Sequence, residues 1–291
     1  GLLTAATALL AAFAAIETAS AAPMVPLRYF RNARFSAACA GWFGAMFAFI
    51  SVFFFLPVYL EVVREYSVLK ASLALSPGPF MAFLFAPASM LAARRFGAGG
   101  VALTGILIVA TAVLLTSRVT TGWAYGQLVL LALFTGVGFG AAVPTLTELA
   151  MSALDERDAG VGAGVFNTVR QIAAVLALSS LGAALQERMT SSFAGAMTSS
   201  AVPDGIRPAV QAEFERRATQ RSGFDGAGLP ADLGAEIHRL ASVELVDGLQ
   251  VVYVIAGVVC LGALALATVL IARSSEASLA PDPAVVPAAA D

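Results

Sequence analysis

The stretch VTTGWAYGQLVLLALFTGVGFGAAVPTLT, residues 119–147, decides the fold, because its 29 residues contain no charged side chain. A helix rises about 1.5 Å per residue and a bilayer core is about 30 Å thick, so such a stretch is long enough to cross a membrane. The stretches 35–60, 71–93, 96–117 and 248–272 are also free of charge. Strands of a membrane barrel would be shorter and would alternate polar with apolar residues. The sequence therefore predicts helices that cross a lipid bilayer.

Two further apolar stretches bring the predicted number of spans to seven. Residues 159–186 form a long apolar stretch that Arg170 interrupts, and residues 1–16 contain no charged residue. The first stretch is shorter than the roughly 20 residues of a complete span, so it predicts only the end of a helix. Hydrophobic residues make up 59% of the chain and charged residues 12%, which favours an all-α integral membrane protein over a soluble domain.

The distribution of arginine and lysine over the short connections predicts the orientation. One side carries Arg28, Arg31, Arg34, Arg94, Arg95, Arg157 and Arg273. The short connections of the other side carry Arg64, Lys70 and Arg118. Because cytoplasmic loops carry the excess of positive charge, the first side and the C-terminus are predicted to be cytoplasmic.

The same pattern divides the chain into parts. Residues 1–34 are predicted to hold the end of a helix and a cytoplasmic connection, and residues 35–272 to form a six-helix bundle. The connection 187–247 is predicted to be external, with short helices at Ala209–Gln220 and Ala231–Leu245, whose apolar residues show helical spacing. The Ala/Pro/Ser-rich residues 273–291 are predicted to be a disordered tail.

Composition argues against several functions. The net charge of −2 and the absence of a basic run argue against nucleic-acid binding. Cys39 and Cys260 lie in apolar stretches, and His238 is the only histidine. We therefore predict no metal site, no cofactor and no enzymatic constellation.

Polar residues within the spans are the candidates for a functional site. Asn167, Arg170 and Gln171 are spaced by three and four residues and share a helix face. An arginine at mid-helix costs about 2.5–3.5 kcal/mol on insertion scales, so it should face protein or water. The functional interpretation is a substrate pathway or gate, and the structural one is a polar clamp or an arginine that extends toward the cytoplasm.

Other candidates come from the neighbouring spans. Gln127 and Glu148 lie in the span that precedes Asn167, and the long side chains of Glu148 and Arg170 are expected to approach each other across a short turn. The aromatic stripe of the second span, with Trp42, Met46 and Phe47, predicts a pocket for bulky apolar ligands.

Glycine and proline residues interrupt the same spans. The glycine triplets lie in helical apolar stretches and not after a strand, so they do not indicate a phosphate-binding loop. We expect small residues and prolines to provide close helix packing and kinks. The candidates are Pro57, Pro77, Gly78, Pro79, Gly136, Gly138, Gly140 and Pro144.

Several strings resemble one family. PLRYFRNARF (26–35), FFLPVYL (54–60), GVGFG (136–140) with Pro144, and GVFNTVRQ (164–171) are similar to the fourteen-helix drug:proton antiporters of the major facilitator superfamily. The resemblance covers residues 1–272. It implies that residues 1–16 end a linker helix and that 35–272 form the C-terminal bundle. It also implies that the second, third, fifth and sixth spans face a central cavity.

The resemblance implies a function as well. It implies proton-coupled export of hydrophobic or cationic drugs by alternating access in the inner membrane, with the proton-coupling residues in an N-terminal bundle. Around Arg94 and Arg95 the chain resembles the superfamily's cytoplasmic gating loop, although the acidic partner is missing. Two alternatives remain open: a solute importer or metabolite exporter of the same superfamily, and a membrane scaffold or sensor that transports nothing.

Overall fold

The computed structural model describes residues 27–199 and 231–279, together with Arg207. Within these residues the regular structure is helical, and no strand occurs in them. Within the described residues, six helices are long and apolar enough to cross a membrane. We name them α1 (Ala33–Val63), α2 (Val68–Phe96), α3 (Ala98–Thr116), α4 (Tyr125–Met151), α5 (Ala159–Ser199) and α6 (Ala231–Leu279). The predicted all-α membrane fold is confirmed, while residues 1–16 lie outside the described part.

Helix α1 begins at a side-chain cap and changes its winding near its end. The Asn32 side chain accepts hydrogen bonds from the backbone N–H groups of Arg34 and Phe35, which satisfies donors that the first turn leaves free. Ser51–Phe55 and Tyr59–Val63 are π-helical turns on either side of Pro57. Because proline lacks a backbone N–H, it removes one hydrogen bond of the helical ladder. The predicted interruption at Pro57 is thus a change of winding within one continuous span.

Helix α2 contains the Pro77-Gly78-Pro79 sequence. It consists of Val68–Leu75 and Pro77–Phe96, joined at Ser76, whose backbone remains helical. Pro77 stands at the first position of the second part, where a missing N–H costs little. The helix ends at Gly97, whose φ of 81° favours glycine and turns the chain directly into α3.

The helices form a bundle in which α1 and α4 occupy the middle. Helix α4 packs against α2, α3 and α1, and α1 packs against α6, α4 and α5. Helix α6 also contacts α5 and α3. Helices α2 and α5 therefore lie on opposite flanks of the α1–α4 pair, and α3 and α6 lie behind it.

Glycines of α4 determine how closely its neighbours approach. A Cβ atom on Gly136 would overlap the backbone of Gly78 in α2, and one on Gly140 would overlap the backbone of Ala82. On another side of α4, a Cβ atom on Gly138 would lie 2.8 Å from the carbonyl oxygen of Gly105 in α3. The GVGFG triplet thus brings two helices into backbone contact with α4.

The last two helices extend beyond the predicted spans. Helix α5 ends at Ser199 and α6 begins at Ala231, so both enter the predicted connection 187–247. Helix α6 continues past Arg273 to Leu279. Small and alternating polar residues are compatible with a helix outside lipid, so apolarity alone ended α5 and α6 too early and began α6 too late. The predicted short helix Ala231–Leu245 is the first part of the continuous helix α6. The predicted helix Ala209–Gln220 lies outside the described residues.

Contacts between connections distinguish the two ends of the bundle. At one end, Arg28 forms an ion pair with Asp158 at 2.9 Å, and Asn32 donates to the carbonyl oxygen of Ala153. At this end the pKa of Arg28 is raised by its hydrogen bond to Tyr29 and by the nearby charge of Asp158. At the other end, the Tyr59 hydroxyl donates to the carbonyl oxygen of Thr120 at 2.7 Å.

Candidate functional site

The Arg170 side chain lies against an aromatic ring of a neighbouring helix. Its guanidinium carbon is 4.3 Å from the centre of the Trp42 ring, so α5 and α1 meet through a cation–π contact. Trp42 is 2% exposed. Such a contact contributes about 2 kcal/mol or more when it is desolvated. The contact gives Arg170 an electrostatic partner inside an apolar bundle.

Trp42 is also the centre of a cluster of rings. Its ring centre lies 5.8 Å from that of Phe166 in α5 and 6.2 Å from that of Phe139 in α4. The Phe139 ring stacks on Phe49 at 4.6 Å, and Phe49 lies 4.6 Å from Phe53. We call these six residues the Trp42 cluster: Phe49, Phe53, Phe139, Phe166, Trp42 and Arg170. It joins the two central helices to α5.

Two donor groups in this cluster have no acceptor among the described residues. The indole Nε1 of Trp42 and the Nε of Arg170 are both buried, and no atom of the described residues accepts a hydrogen bond from either. Indole and guanidinium nitrogens only donate. Leaving such a donor unsatisfied costs about 1–3 kcal/mol, and more for a charged group. The cluster is therefore polar in its chemistry although rings form most of its surface.

Asn167 and Gln171 lie beside Arg170 on the exposed surface of α5. Both side chains are exposed, and Arg170 is partly buried. At about 100° per residue, Asn167 and Gln171 are rotated by about 60° and 100° from Arg170 in the same direction. Arg170 thus stands at the border between the packed face of α5 and its open face, which carries Asn167 and Gln171. The structure brings these three predicted residues together.

Gln127 and Glu148 lie elsewhere. The Gln127 side chain accepts a hydrogen bond from the backbone N–H of Ala124 at 2.9 Å and so caps the start of α4. Glu148 is exposed near the opposite end of α4, and within the described residues no ion pair joins it to Arg170. Arg170 faces Trp42 instead, so the expected approach of these two side chains does not occur.

The remaining candidates are distributed over the bundle. Phe47 is buried against Phe43, with ring centres 5.0 Å apart, and Met46 is partly exposed. Pro144 lies inside α4, and Pro57, Pro77 and Pro79 lie in α1 and α2 as described above. Arg94 and Arg95 are exposed at the end of α2.

The sequence analysis did not include Phe139 and Phe166 in the site. Phe139 lies inside the GVGFG triplet, and Phe166 immediately precedes Asn167. A signal was available, because a cation within an apolar helix needs an aromatic or anionic partner, and an aromatic residue four positions earlier shares its helix face. The chemistry of the site is that of binding, since it offers ring faces and hydrogen-bond donors.

An apolar six-helix bundle with a charged, aromatic cluster at the border of its open face defines the class as a multi-pass membrane protein. The chain belongs to the Major Facilitator Superfamily, whose sequence profile matches residues 2–178. This finding favours a transporter over an enzyme.

Several relatives carry names that describe export. The tetracenomycin C resistance and export protein of Streptomyces glaucescens is 27% identical over 99% of this chain and 53% of its own length. The drug efflux pump JefA of Mycobacterium tuberculosis is 26% identical over 91% of this chain and 53% of its length. The multidrug efflux pump LfrA of Mycolicibacterium smegmatis is 23% identical over 90% and 51%. The chain spans about half the length of these relatives.

Proposed function

We propose that this chain is the C-terminal half of a drug exporter of the fourteen-helix branch. In this proposal it exchanges hydrophobic or cationic compounds for protons by alternating access in the inner membrane. The coupling residues lie in an N-terminal bundle, and the C-terminus is cytoplasmic. The proposal is supported by relatives named as export proteins along nearly the whole chain.

The observation that carries the proposal is the pair of exposed amide side chains, Asn167 and Gln171, on the open face of α5. Only 17% of the residues in the most apolar part of α5 are buried, against 50% in α4. Asn167 and Gln171 are exposed there, in the middle of a membrane span. Because lipid offers no hydrogen-bonding partners, such side chains require a second protein wall or water. A transport pathway between two bundles supplies both.

Residues take specific roles in this proposal. Arg170, Asn167 and Gln171 line the pathway, and the Trp42 cluster holds Arg170 at its edge. Met46, which is partly exposed on α1, contributes an apolar contact for the compound. Pro57, Pro77, Pro79 and Pro144 allow α1, α2 and α4 to change curvature when the bundle rocks. Arg94 and Arg95 lie at the cytoplasmic end of α2 in this proposal, where the missing acidic partner argues against a charge-relay gate.

The site assignment is tested by efflux of a fluorescent cationic dye from cells that lack their own exporters. With the protein as its gene encodes it, we expect Arg170→Ala to lower the efflux rate by about tenfold, equivalent to about 1.4 kcal/mol. The matched control Glu148→Gln should change it by less than about twofold, because Glu148 is exposed and has no ion pair with Arg170 in the described residues. Equal rates in both variants would contradict the assignment.

Two further measurements test the remaining parts. A protonophore should abolish efflux if protons drive it, and net uptake of the compound would indicate an importer. Expression of these 291 residues alone should give no efflux, whereas expression with the coding sequence upstream should restore it. Efflux by the 291-residue chain alone would contradict the proposal that it is half of the transporter.

A further inference from the structure

A cavity of about 450 Å³ opens on the back of the bundle, at the end where α3 finishes and where α6 passes Asp247. This is the end that holds Thr120 and Tyr59, opposite to Arg28 and Asp158. Its lining includes Arg118, Arg188, Asp247, Gln250, Val251 and Val254. None of these residues belongs to the Trp42 cluster. The cavity is therefore separate from the proposed pathway.

The charged groups of the cavity are available for a ligand. Arg118 follows the end of α3, Arg188 lies in α5 and Asp247 lies in α6, so three elements converge. All three side chains are exposed. Within the described residues, neither arginine forms an ion pair. Two guanidinium groups and one carboxylate line the cavity, and Glu244, one turn before Asp247 on α6, lies close enough to act electrostatically on Arg188 and Asp247.

The lining changes from polar to apolar along the membrane normal. Arg118 follows the end of α3, and Asp247 lies in α6 immediately before its charge-free stretch 248–272. From there α6 runs toward the opposite end of the bundle through Val251 and Val254. Val254 is 45% exposed, and Val258 one turn further along is 60% exposed. An exposed valine column on a spanning helix faces lipid. The cavity is therefore continuous with the lipid-facing surface.

One hydrogen bond holds α6 against the connection between α3 and α4 at the side of the cavity. The Gln250 side chain donates through Nε2 to the carbonyl oxygen of Val119 at 2.7 Å. This contact ties α6 to the connection that carries Arg118. It holds Arg118 close to Asp247, and neither charged group takes part in this hydrogen bond.

We propose that this cavity binds the headgroup of an anionic phospholipid. The phosphate lies between Arg118 and Arg188, whose guanidinium groups form charge-assisted hydrogen bonds with its oxygens. Asp247 accepts hydrogen bonds from hydroxyl groups of the headgroup. The acyl chains lie along Val251, Val254 and Val258.

The charge and the shape of the cavity select this ligand. One phosphodiester carries a single negative charge, which balances the +1 that Arg118, Arg188 and Asp247 carry together where they line the cavity. A headgroup with an added ammonium group carries no net charge and does not balance these three groups. A free phosphate ion has no apolar part that could contact the valine side chains. An anionic phospholipid matches both the charged end and the apolar end.

The proposal is tested by native mass spectrometry of the protein as its gene encodes it, after reconstitution with equal amounts of phosphatidylglycerol and phosphatidylethanolamine. We expect retained phosphatidylglycerol to exceed phosphatidylethanolamine. Arg118→Gln and Arg188→Gln should each weaken its retention by about fivefold, the factor for one basic side chain at a lipid surface. The double variant should weaken it by about twenty-fivefold, and Arg188→Lys by less than about twofold.

Matched controls separate this site from general attraction to charge. Arg95→Gln removes an exposed arginine at the opposite end of the bundle and should leave retention unchanged. Val254→Ser should weaken phosphatidylglycerol retention, and inorganic phosphate should not displace the lipid. Unchanged retention in the double variant, an equal loss in Arg95→Gln, or displacement by inorganic phosphate would each overturn the proposal.

Discussion

Two glycine triplets with the same spacing, Gly136-Val-Gly138-Phe-Gly140 in α4 and Gly160-Val-Gly162-Ala-Gly164 in α5, have opposite surroundings. In α4 each glycine contacts the backbone of a neighbouring helix. In α5, a Cβ atom on Gly160 or Gly164 would meet no described atom within 4 Å, and one on Gly162 would meet only the Leu154 side chain. The same sequence pattern therefore marks close helix packing in one place and an open face in the other.

The two glycine triplets differ because their helices have different neighbours. Small residues permit backbones to approach, but they do so only where another helix is present. Helix α4 is in the middle of the bundle, whereas α5 packs on α1 and α6 with one face and exposes the other. On the open face of α5, no described helix approaches Gly160 or Gly164. In the proposed function this face borders the pathway between this bundle and an N-terminal bundle.

The largest expected effect comes from replacing one glycine of each triplet by alanine, which adds a methyl group. Gly136→Ala should destabilise the protein by about 3 kcal/mol or more, because the new Cβ overlaps the Gly78 backbone, which cannot rotate away. Gly164→Ala should be neutral or stabilise the helix by up to about 1 kcal/mol, since its Cβ meets open space. Reversible unfolding of the protein in mixed micelles measures both. Equal losses would show that the two triplets are packed alike.

A second measurement asks whether the open face borders water. Asn167→Cys on α5 should react with a membrane-impermeant thiol reagent at least about tenfold faster than Thr135→Cys, because Thr135 is fully buried in α4 and Asn167 is exposed. The native cysteines Cys39 and Cys260 are both buried, and a background without them removes their contribution. Equally slow reaction at both positions indicates a dry surface and favours the scaffold alternative.

The sequence predicted the spans well, because apolarity over a bilayer's thickness is a property of each stretch alone. Five charge-free stretches correspond to α1, α2, α3, α4 and the membrane part of α6. The ends of α5 and α6 were predicted less well, since helices outside lipid depend on local contacts. Helix α6, for example, extends to Leu279, past the predicted end of its span at residue 272.

The site was predicted in part for a similar reason. The spacing of Asn167, Arg170 and Gln171 fixed their common side of α5, because helix geometry is local. The partner of Arg170 was not predictable from rise along the helix, which suggested Glu148. Rotation about the helix axes decides that contact, and it places Arg170 on Trp42. Contacts between helices depend on which helices are neighbours and which faces they turn toward each other. The packing of the whole bundle decides both, and the sequence of a single helix does not.

The turn between the two triplets tests the orientation. Ser152 lies in this turn and Thr121 lies in the α3–α4 connection at the other end, and both are exposed. In intact cells, Thr121→Cys should be labelled by an impermeant reagent, and Ser152→Cys only after the membrane is opened. Positive charge on the side of Arg28, Arg94 and Arg157 is the reason for this expectation. The reverse pattern would place the C-terminus outside.

The smallest expected effect concerns Asn32, whose hydrogen bonds link the start of α1 to the turn between α4 and α5. Asn32 caps α1 through Oδ1 and donates through Nδ2 to the carbonyl oxygen of Ala153 at 2.9 Å, so Asn32→Ala should cost about 1–2 kcal/mol in unfolding free energy. Asn32→Asp keeps the cap but loses the donor, and it should cost about half as much. If Asn32→Asp costs as much as Asn32→Ala, the link to the turn matters more than the cap. The turn that joins the packed and the open triplet would then depend on α1 for its position.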